Sequence, residues 1–141
     1  MKRVLFVAGV ALLSVGFANR QAQHPYRVAF DLTSRDSLDQ KAVVRWIKEV
    51  TAASPKAQIE VVMYGKGFEL VMPEKSTVIK DVEAAMKNPN VSFKVCAVAL
   101  KNNNVLANQL VPGVETVPDG IYELVAKQQD NWGYIKASVS H

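Results

Sequence analysis

Hydrophobic residues recur at two different spacings along the chain. In Tyr26–Leu32 they occupy every second position, which is typical of a strand with one buried face. Between Leu38 and Val50 they lie three and four positions apart, which predicts an amphipathic helix. Residues 37–40 (S-L-D-Q) have the form of a capping box that would begin this helix, and Ser54-Pro55 would end it.

The same alternation continues to the end of the chain. Four more segments are predicted strands: Ile59–Tyr64, Val91–Cys96, Val114–Val117 and Trp132–Lys136. Three helices are predicted between them: Ser76–Lys87, a helix from Ala97 to near Leu106, and a helix whose first residue is Pro118. Strands that alternate with helices predict a three-layer α/β/α sandwich with a mostly parallel five-stranded sheet, flavodoxin-like in outline.

Cys96 is the only cysteine of the chain, and it stands where a predicted strand meets a predicted helix. The start of a helix favours the nucleophilic thiolate, and the backbone N–H groups of Ala97 and Val98 would support it. Ligand sites of open α/β sheets lie beyond the carboxyl ends of the strands. We therefore expect Cys96 and the residues Tyr64-Gly65-Lys66 at one edge of the sheet, with the Lys66 ammonium as a supporting group.

The first 18 residues have the layout of a secretory signal peptide. Lys2 and Arg3 precede the apolar run Val4–Ala18, and small residues precede a plausible cleavage site. A retained membrane anchor is the alternative, but the run is shorter than the ~20 residues that a spanning helix needs. We predict cleavage after Ala18, export to the periplasm and no stable membrane insertion of the mature protein. In an oxidising compartment, an unpaired cysteine indicates either a buried inert thiol or a reactive one.

Composition limits the remaining possibilities. Residues 19–25 are predicted to be a flexible segment, 26–137 one α/β domain and 138–141 a tail. Loss of Lys2 and Arg3 lowers the basic residues from 17 to 15 against 13 acidic ones, so the formal net charge falls from +4 to +2. Charges of both signs are mixed, and we expect no nucleic-acid partner. His24 and His141 lie at opposite ends of the mature chain, and we expect no metal and no cofactor.

Three segments together resemble the DsrE/DsrF-like family of small sulfur-handling proteins. They are Val95-Cys96 with the following helix, Leu110–Val114 (L-V-P-G-V), and Val117–Lys136 with its V-P-D-G and Q-Q-D-N-W-G-Y-I-K sequences. The resemblance implies an α/β/α sandwich, assembly into a trimer or hexamer, and a cysteine that holds sulfur as a persulfide, which here is Cys96. Many relatives end the second strand with His-Gly where this chain has Tyr64-Gly65. A tyrosine with a pKa near ~10 does not act as a base at neutral pH.

Three function classes remain open at this stage. The first is an exported sulfur carrier, or sulfurtransferase-like protein, that takes sulfane sulfur from polysulfide or a protein donor onto Cys96 and passes it to an acceptor. The second is a non-catalytic oligomeric binding module in which Cys96 is a buried structural residue. The third is a thiol-based redox or metal-handling protein of the cell envelope.

Overall fold

The structure is a computed structural model, and it describes residues 26–139. The predicted signal peptide, the segment 19–25 and residues 140–141 lie outside the described residues. Five strands form one sheet: β1 (Arg27–Leu32), β2 (Gln58–Met63), β3 (Val91–Cys96), β4 (Glu115–Val117) and β5 (Gly133–Lys136). Four α-helices connect them: α1 (Ser37–Ala53), α2 (Ile79–Ala85), α3 (Ala97–Asn102) and α4 (Gly120–Gln129).

The sheet is parallel throughout, in the order β4-β3-β2-β1-β5. The connections from β1 to β4 all step in one direction, whereas α4 leads back across the sheet to β5. Right-handed crossovers then place α1, α2 and α3 on one face and α4 on the other. The protein is thus the predicted three-layer α/β/α sandwich, flavodoxin-like in outline, and every strand pair is parallel.

The two faces of the sheet carry different interiors. On the first face, Val28, Phe30 and Leu32 of β1 belong to a large apolar core that includes side chains of α1, α2 and α3. On the second face, a smaller cluster joins Ala29 and Val62 to Leu124 of α4. Since β2 lies between two other strands and under both layers, its residues from Ile59 onward are buried on both faces.

Aspartates, rather than the residues predicted from sequence, begin α1 and α4. Asp36 is the N-cap of α1 and its Oδ1 accepts a hydrogen bond from the Leu38 backbone N–H at 2.7 Å, so the predicted capping box that starts at Ser37 is wrong. Asp119 is the N-cap of α4, and Pro118 precedes this cap instead of being the first helical residue. In both cases the aspartate carboxylate accepts hydrogen bonds from backbone N–H groups of the first turn, which have no partner within the helix.

Two other predicted helices have different bounds. α2 is shorter than the predicted helix over 76–87, and the 3-10 helix Gly67–Val71 precedes it. The prediction that α3 continues to near Leu106 is wrong. Its last residue is Asn102, and Asn104 adopts a left-handed backbone conformation (φ 53°) that an α-helix does not accommodate.

The last described residues, 137–139, pack against the first face of the sheet. The Ala137 N–H donates to the Asp31 carbonyl at 2.8 Å, and the Val139 N–H donates to Oδ1 of the buried Asp39 at 2.7 Å. The described part of the predicted tail, Ser138 and Val139, therefore lies against α1.

Candidate functional site

Cys96 lies at the point where the helices that follow the strands change from one face of the sheet to the other. It is the last residue of β3 and the N-cap of α3, and only 5% of it is exposed. β3 continues into α3 on the first face, whereas its neighbour β4 continues into α4 on the second face. Two adjacent parallel strands whose connections leave on opposite faces open a crevice at their carboxyl ends, which is where open α/β sheets bind ligands.

A cavity of about 210 Å³ occupies this crevice. Four of the residues predicted from sequence line it, namely Tyr64, Gly65, Cys96 and Val98. The other two predicted residues, Ala97 and Lys66, are not among the lining residues. Val98 is 49% exposed and Ile121, which also lines the cavity, is 60% exposed, so the cavity opens to solvent between α3 and α4.

Lys66 lies behind the cavity wall. Its ammonium donates a hydrogen bond to Oδ1 of Asn103, and Asn103 itself lines the cavity. The Asn103 amide nitrogen in turn donates to the Ala99 carbonyl of α3 at 2.7 Å. The lysine predicted to support the thiol therefore reaches the site through an asparagine side chain at the end of α3.

Gly120 is a site residue that sequence reasoning missed. A Cβ placed on Gly120 would lie 3.2 Å from the Cys96 Cβ and 3.3 Å from the Tyr64 Cβ. Both of those atoms are bonded directly to the backbone, so a side chain at this position would require the start of α4 to shift by a few tenths of an ångström away from the thiol. The sequence V-P-D-G contained the signal, because a glycine at the first position of a helix has poor helix propensity and needs a packing reason.

The Tyr64 hydroxyl is hydrogen-bonded to the buried carboxylate of Asp31. The Tyr64 hydroxyl donates to Asp31 Oδ2 at 3.3 Å, and the Tyr134 hydroxyl donates to the same oxygen at 2.6 Å. Lys136 Nζ lies 3.2 Å from Asp31 Oδ1. Burial, together with the nearby negative charge of Asp31 and the hydrogen bond to it, raises the pKa of Tyr64. Tyr64 is therefore a protonated wall of the cavity at neutral pH.

Tyr134 gives this cluster a measurable pH dependence. The hydrogen bond to Asp31, followed by burial and the charge of Asp31, raises the pKa of Tyr134 from 10.0 to about 12. The folded state therefore keeps a proton that the unfolded state loses, and we expect stability to fall as pH rises from about 10 to about 12. Chemical denaturation across this range should show a shallower decline for Tyr134→Phe. An equal decline in both proteins would contradict the role of this hydroxyl.

The described residues offer few other sites for chemistry. No group of three or more His, Cys, Asp or Glu side chains within residues 26–139 is arranged to hold a metal ion. In the same part of the chain, no helix is both long and apolar enough to cross a membrane. A larger groove of about 400 Å³ lies between α1 and α2, with the Lys48–Asp81 ion pair in its wall, and no cysteine or histidine lines it.

Comparisons with known proteins support the fold. No protein-family model matches the chain, and no curated protein matches it. Among solved structures, the chain is similar to MTH1491 from Methanobacterium thermoautotrophicum, a protein of unknown function. The two are 26% identical with a TM-score of 0.74, and the match covers 79% of this chain and 98% of that one. The chain therefore shares its α/β/α fold with MTH1491, and this similarity assigns no activity to either protein.

Proposed function

We propose that the protein is an exported sulfur carrier that holds sulfane sulfur as a persulfide on Cys96. One observation carries the proposal: the only thiol of the chain lines a solvent-connected cavity at the carboxyl edge of the sheet. Cys96 also belongs to the main apolar core, so its position in the lining of this cavity is what distinguishes it from a residue that only packs. The resemblance to the DsrE/DsrF-like family agrees with this chemistry.

The proposed reaction moves one sulfur atom without net oxidation. The Cys96 thiolate attacks the outer sulfur of a donor R–S–SH, so that a new S–S bond forms and the donor S–S bond breaks. The donor leaves as the thiolate R–S⁻, and Cys96 becomes Cys96–S–SH. An acceptor thiolate then attacks the outer sulfur of Cys96–S–SH, which returns the Cys96 thiolate. Since the chain has one cysteine, both steps occur between molecules.

Two further parts of the proposal concern location and assembly. We propose that the signal peptide directs the protein to the periplasm and is removed after Ala18. We also propose a homo-oligomer, a trimer or hexamer. Ile121, Tyr122 and Val125 of α4 are 60%, 75% and 44% exposed. Such a run of exposed apolar side chains suits a contact between copies.

Intact-mass spectrometry of the exported protein tests the proposal. We expect the protein to gain one or more sulfur atoms after brief exposure to polysulfide, and a reductant to reverse the gain. Cys96→Ser should gain none, because it lacks the nucleophile. The same protein measured under native conditions should have the mass of an oligomer, and its subunit mass should correspond to a chain that begins at Asn19.

The controls separate this proposal from its alternatives. Cys96→Ser should keep the fold but lower the free energy of unfolding by about 1–3 kcal/mol, because it places a hydroxyl where only 5% of Cys96 is exposed. If the parent gains no sulfur and its thiol labels only after unfolding, Cys96 is a core residue and the protein is a binding module. Sulfur gain by Cys96→Ser would show that the sulfur is attached elsewhere.

A further inference from the structure

Two opposite charges flank Cys96 along the edge of the sheet. Cys96 ends β3, Asp119 follows β4 on one side, and Lys66 follows β2 on the other. Neighbouring strands lie about 4.8 Å apart, so β2 and β4 are separated by about 10 Å with the thiol between them. A carboxylate and an ammonium therefore stand on opposite sides of the candidate nucleophile.

Neither charge is neutralised by an ion pair within residues 26–139. Asp119 lines the cavity, and its Oδ1 accepts hydrogen bonds from the Ile121 and Tyr122 backbone N–H groups at 2.8 and 3.1 Å. These are neutral donors, so the carboxylate keeps its charge. Lys66 donates to the neutral amide of Asn103, so the ammonium also keeps its charge.

The size and the lining of the cavity restrict what can enter. Its volume of about 210 Å³ is below the ~300–1,000 Å³ typical of pockets for drug-sized ligands. Val98, Ala99 and Ile121 provide an apolar wall near the thiol. Asn103 lines the cavity, and the Lys66 ammonium is hydrogen-bonded to its side chain from outside the lining. A ligand that fits has a short apolar stem, a positive group toward Asp119 and a negative group toward Asn103 and the Lys66 ammonium beyond it.

We propose that the sulfur donor or acceptor of Cys96 is a small zwitterionic α-amino-acid thiol or its persulfide. Its α-ammonium lies toward Asp119, its α-carboxylate toward Lys66 and Asn103, and its side-chain sulfur meets Cys96. The inference rests on the proposed sulfur-carrier function, and it names R in the donor R–S–SH as an amino-acid side chain. The same exchange then applies: the donor S–S bond breaks, the amino-acid thiolate leaves, and Cys96–S–SH forms.

Protection of Cys96 from alkylation tests the recognition without any sulfur transfer. The probe is S-methylcysteine, which has both charges and no reactive thiol. Two matched analogues each lack one charge: N-acetyl-S-methylcysteine lacks the ammonium, and S-methylcysteine methyl ester lacks the carboxylate. We expect saturating S-methylcysteine to slow labelling of native Cys96 by N-ethylmaleimide at least about fivefold, and either analogue at the same concentration to slow it less than about twofold.

Charge-neutral variants assign each end of the ligand. Asp119→Asn removes the carboxylate but keeps a side chain that caps helices equally well. We expect it to lose the protection by S-methylcysteine, and Lys66→Gln to do the same from the other side. Asp130→Asn is the matched control, because it makes the same charge change at the C-cap of α4 and should keep full protection.

The outcomes distinguish this inference from the proposed function. Equal protection by all three compounds, or by none, overturns zwitterion recognition. If polysulfide still loads Cys96 in that case, the carrier function stands without it. Charge-dependent protection without sulfur loading retains the amino-acid site but contradicts the carrier. A thiol that labels only in denaturant contradicts both.

Discussion

Replacing Gly67 with alanine is expected to lower the free energy of unfolding by about 3 kcal/mol or more. A Cβ on Gly67 would lie 2.0 Å from the Leu32 carbonyl oxygen and 2.7 Å from its carbon. These are backbone atoms of the internal strand β1, so no side-chain rotation relieves the clash. Either β1 or the 3-10 helix Gly67–Val71 must move, and both contribute to the main core. Urea denaturation followed by circular dichroism measures the loss.

Gly133→Ala is the matched control for this substitution. A Cβ on Gly133 would have its nearest neighbour, the Arg27 carbonyl oxygen, at 3.4 Å, which is an ordinary contact. Gly133 is also exposed at the start of β5. We expect its stability to change by less than about 0.5 kcal/mol. If Gly67→Ala is as stable as Gly133→Ala, the close approach between Gly67 and β1 is not present in solution.

Lys127→Met is expected to lower the free energy of unfolding by about 3 kcal/mol at pH 7. Lys127 Nζ lies 2.9 Å from Oε2 of Glu60, whose side chain is only 3% exposed. Oε1 of Glu60 has no hydrogen-bond partner within the described residues. Removing Lys127 leaves a buried carboxylate without its cation, which costs more than losing an exposed ion pair. Methionine preserves most of the aliphatic length of lysine, but the variant also loses the cation–π contact of Nζ, which lies 4.5 Å from the Trp132 ring centroid.

The loss in Lys127→Met should depend on pH in a definite direction. Burial raises the pKa of Glu60 from its ordinary value of 4.5 despite the attraction of Lys127. The folded state thus binds more protons than the unfolded state above pH 4.5, and stability falls as pH rises toward and through the folded pKa. The Lys127 ammonium lowers the pKa of Glu60, so removing it extends the pH range over which stability falls to higher pH. We therefore expect Lys127→Met to regain stability on acidification to about pH 5, whereas a fully ionised Glu60 would give no such recovery.

The double variant Glu60→Gln/Lys127→Met isolates the carboxylate. It should be more stable than Lys127→Met at pH 7, because no buried charge remains, and it should lose the recovery at low pH. A double variant that keeps this pH dependence would assign it to another group. Denaturation at several pH values measures all three proteins.

Strands were predictable from sequence to within one residue, whereas the bounds of α2 and α3 were not. β2 is almost continuously apolar because both of its faces are covered, and β3 alternates apolar with polar residues, and both patterns are visible in a short window of sequence. The start of α1 was misplaced because Asp36 and Ser37 are both good N-caps and only the folded backbone selects between them. The spacing of apolar residues on α4 did not show that the side chain of Ile121 would remain exposed to solvent.

Only the part of the candidate site that follows from the order and direction of the strands was predictable from sequence. Parallel strands bring Cys96 and Tyr64 to one edge, and the sequence suggested that placement. Asp119 and Gly120 join them because α4 crosses to the second face and begins against β3, a contact between segments more than 20 residues apart. Packing of this kind depends on where a glycine allows two backbones to approach, and a pattern of hydrophobic positions does not contain that distance.

The position of β1 in the sheet has a consequence for how the chain folds as it is made. One neighbour of β1 is β2, but the other is β5, and Val28 pairs with Gly133. A ribosome releases the N-terminal end of the chain first, so one edge of β1 stays without a partner until nearly the whole domain has emerged. The last strand pairing to form joins β1 to β5, the two strands that are farthest apart in the sequence. This pairing is slow because a long loop must close before the contact forms. The nascent domain therefore keeps one edge of β1 unpaired, and accessible to chaperones, until β5 has emerged from the ribosome.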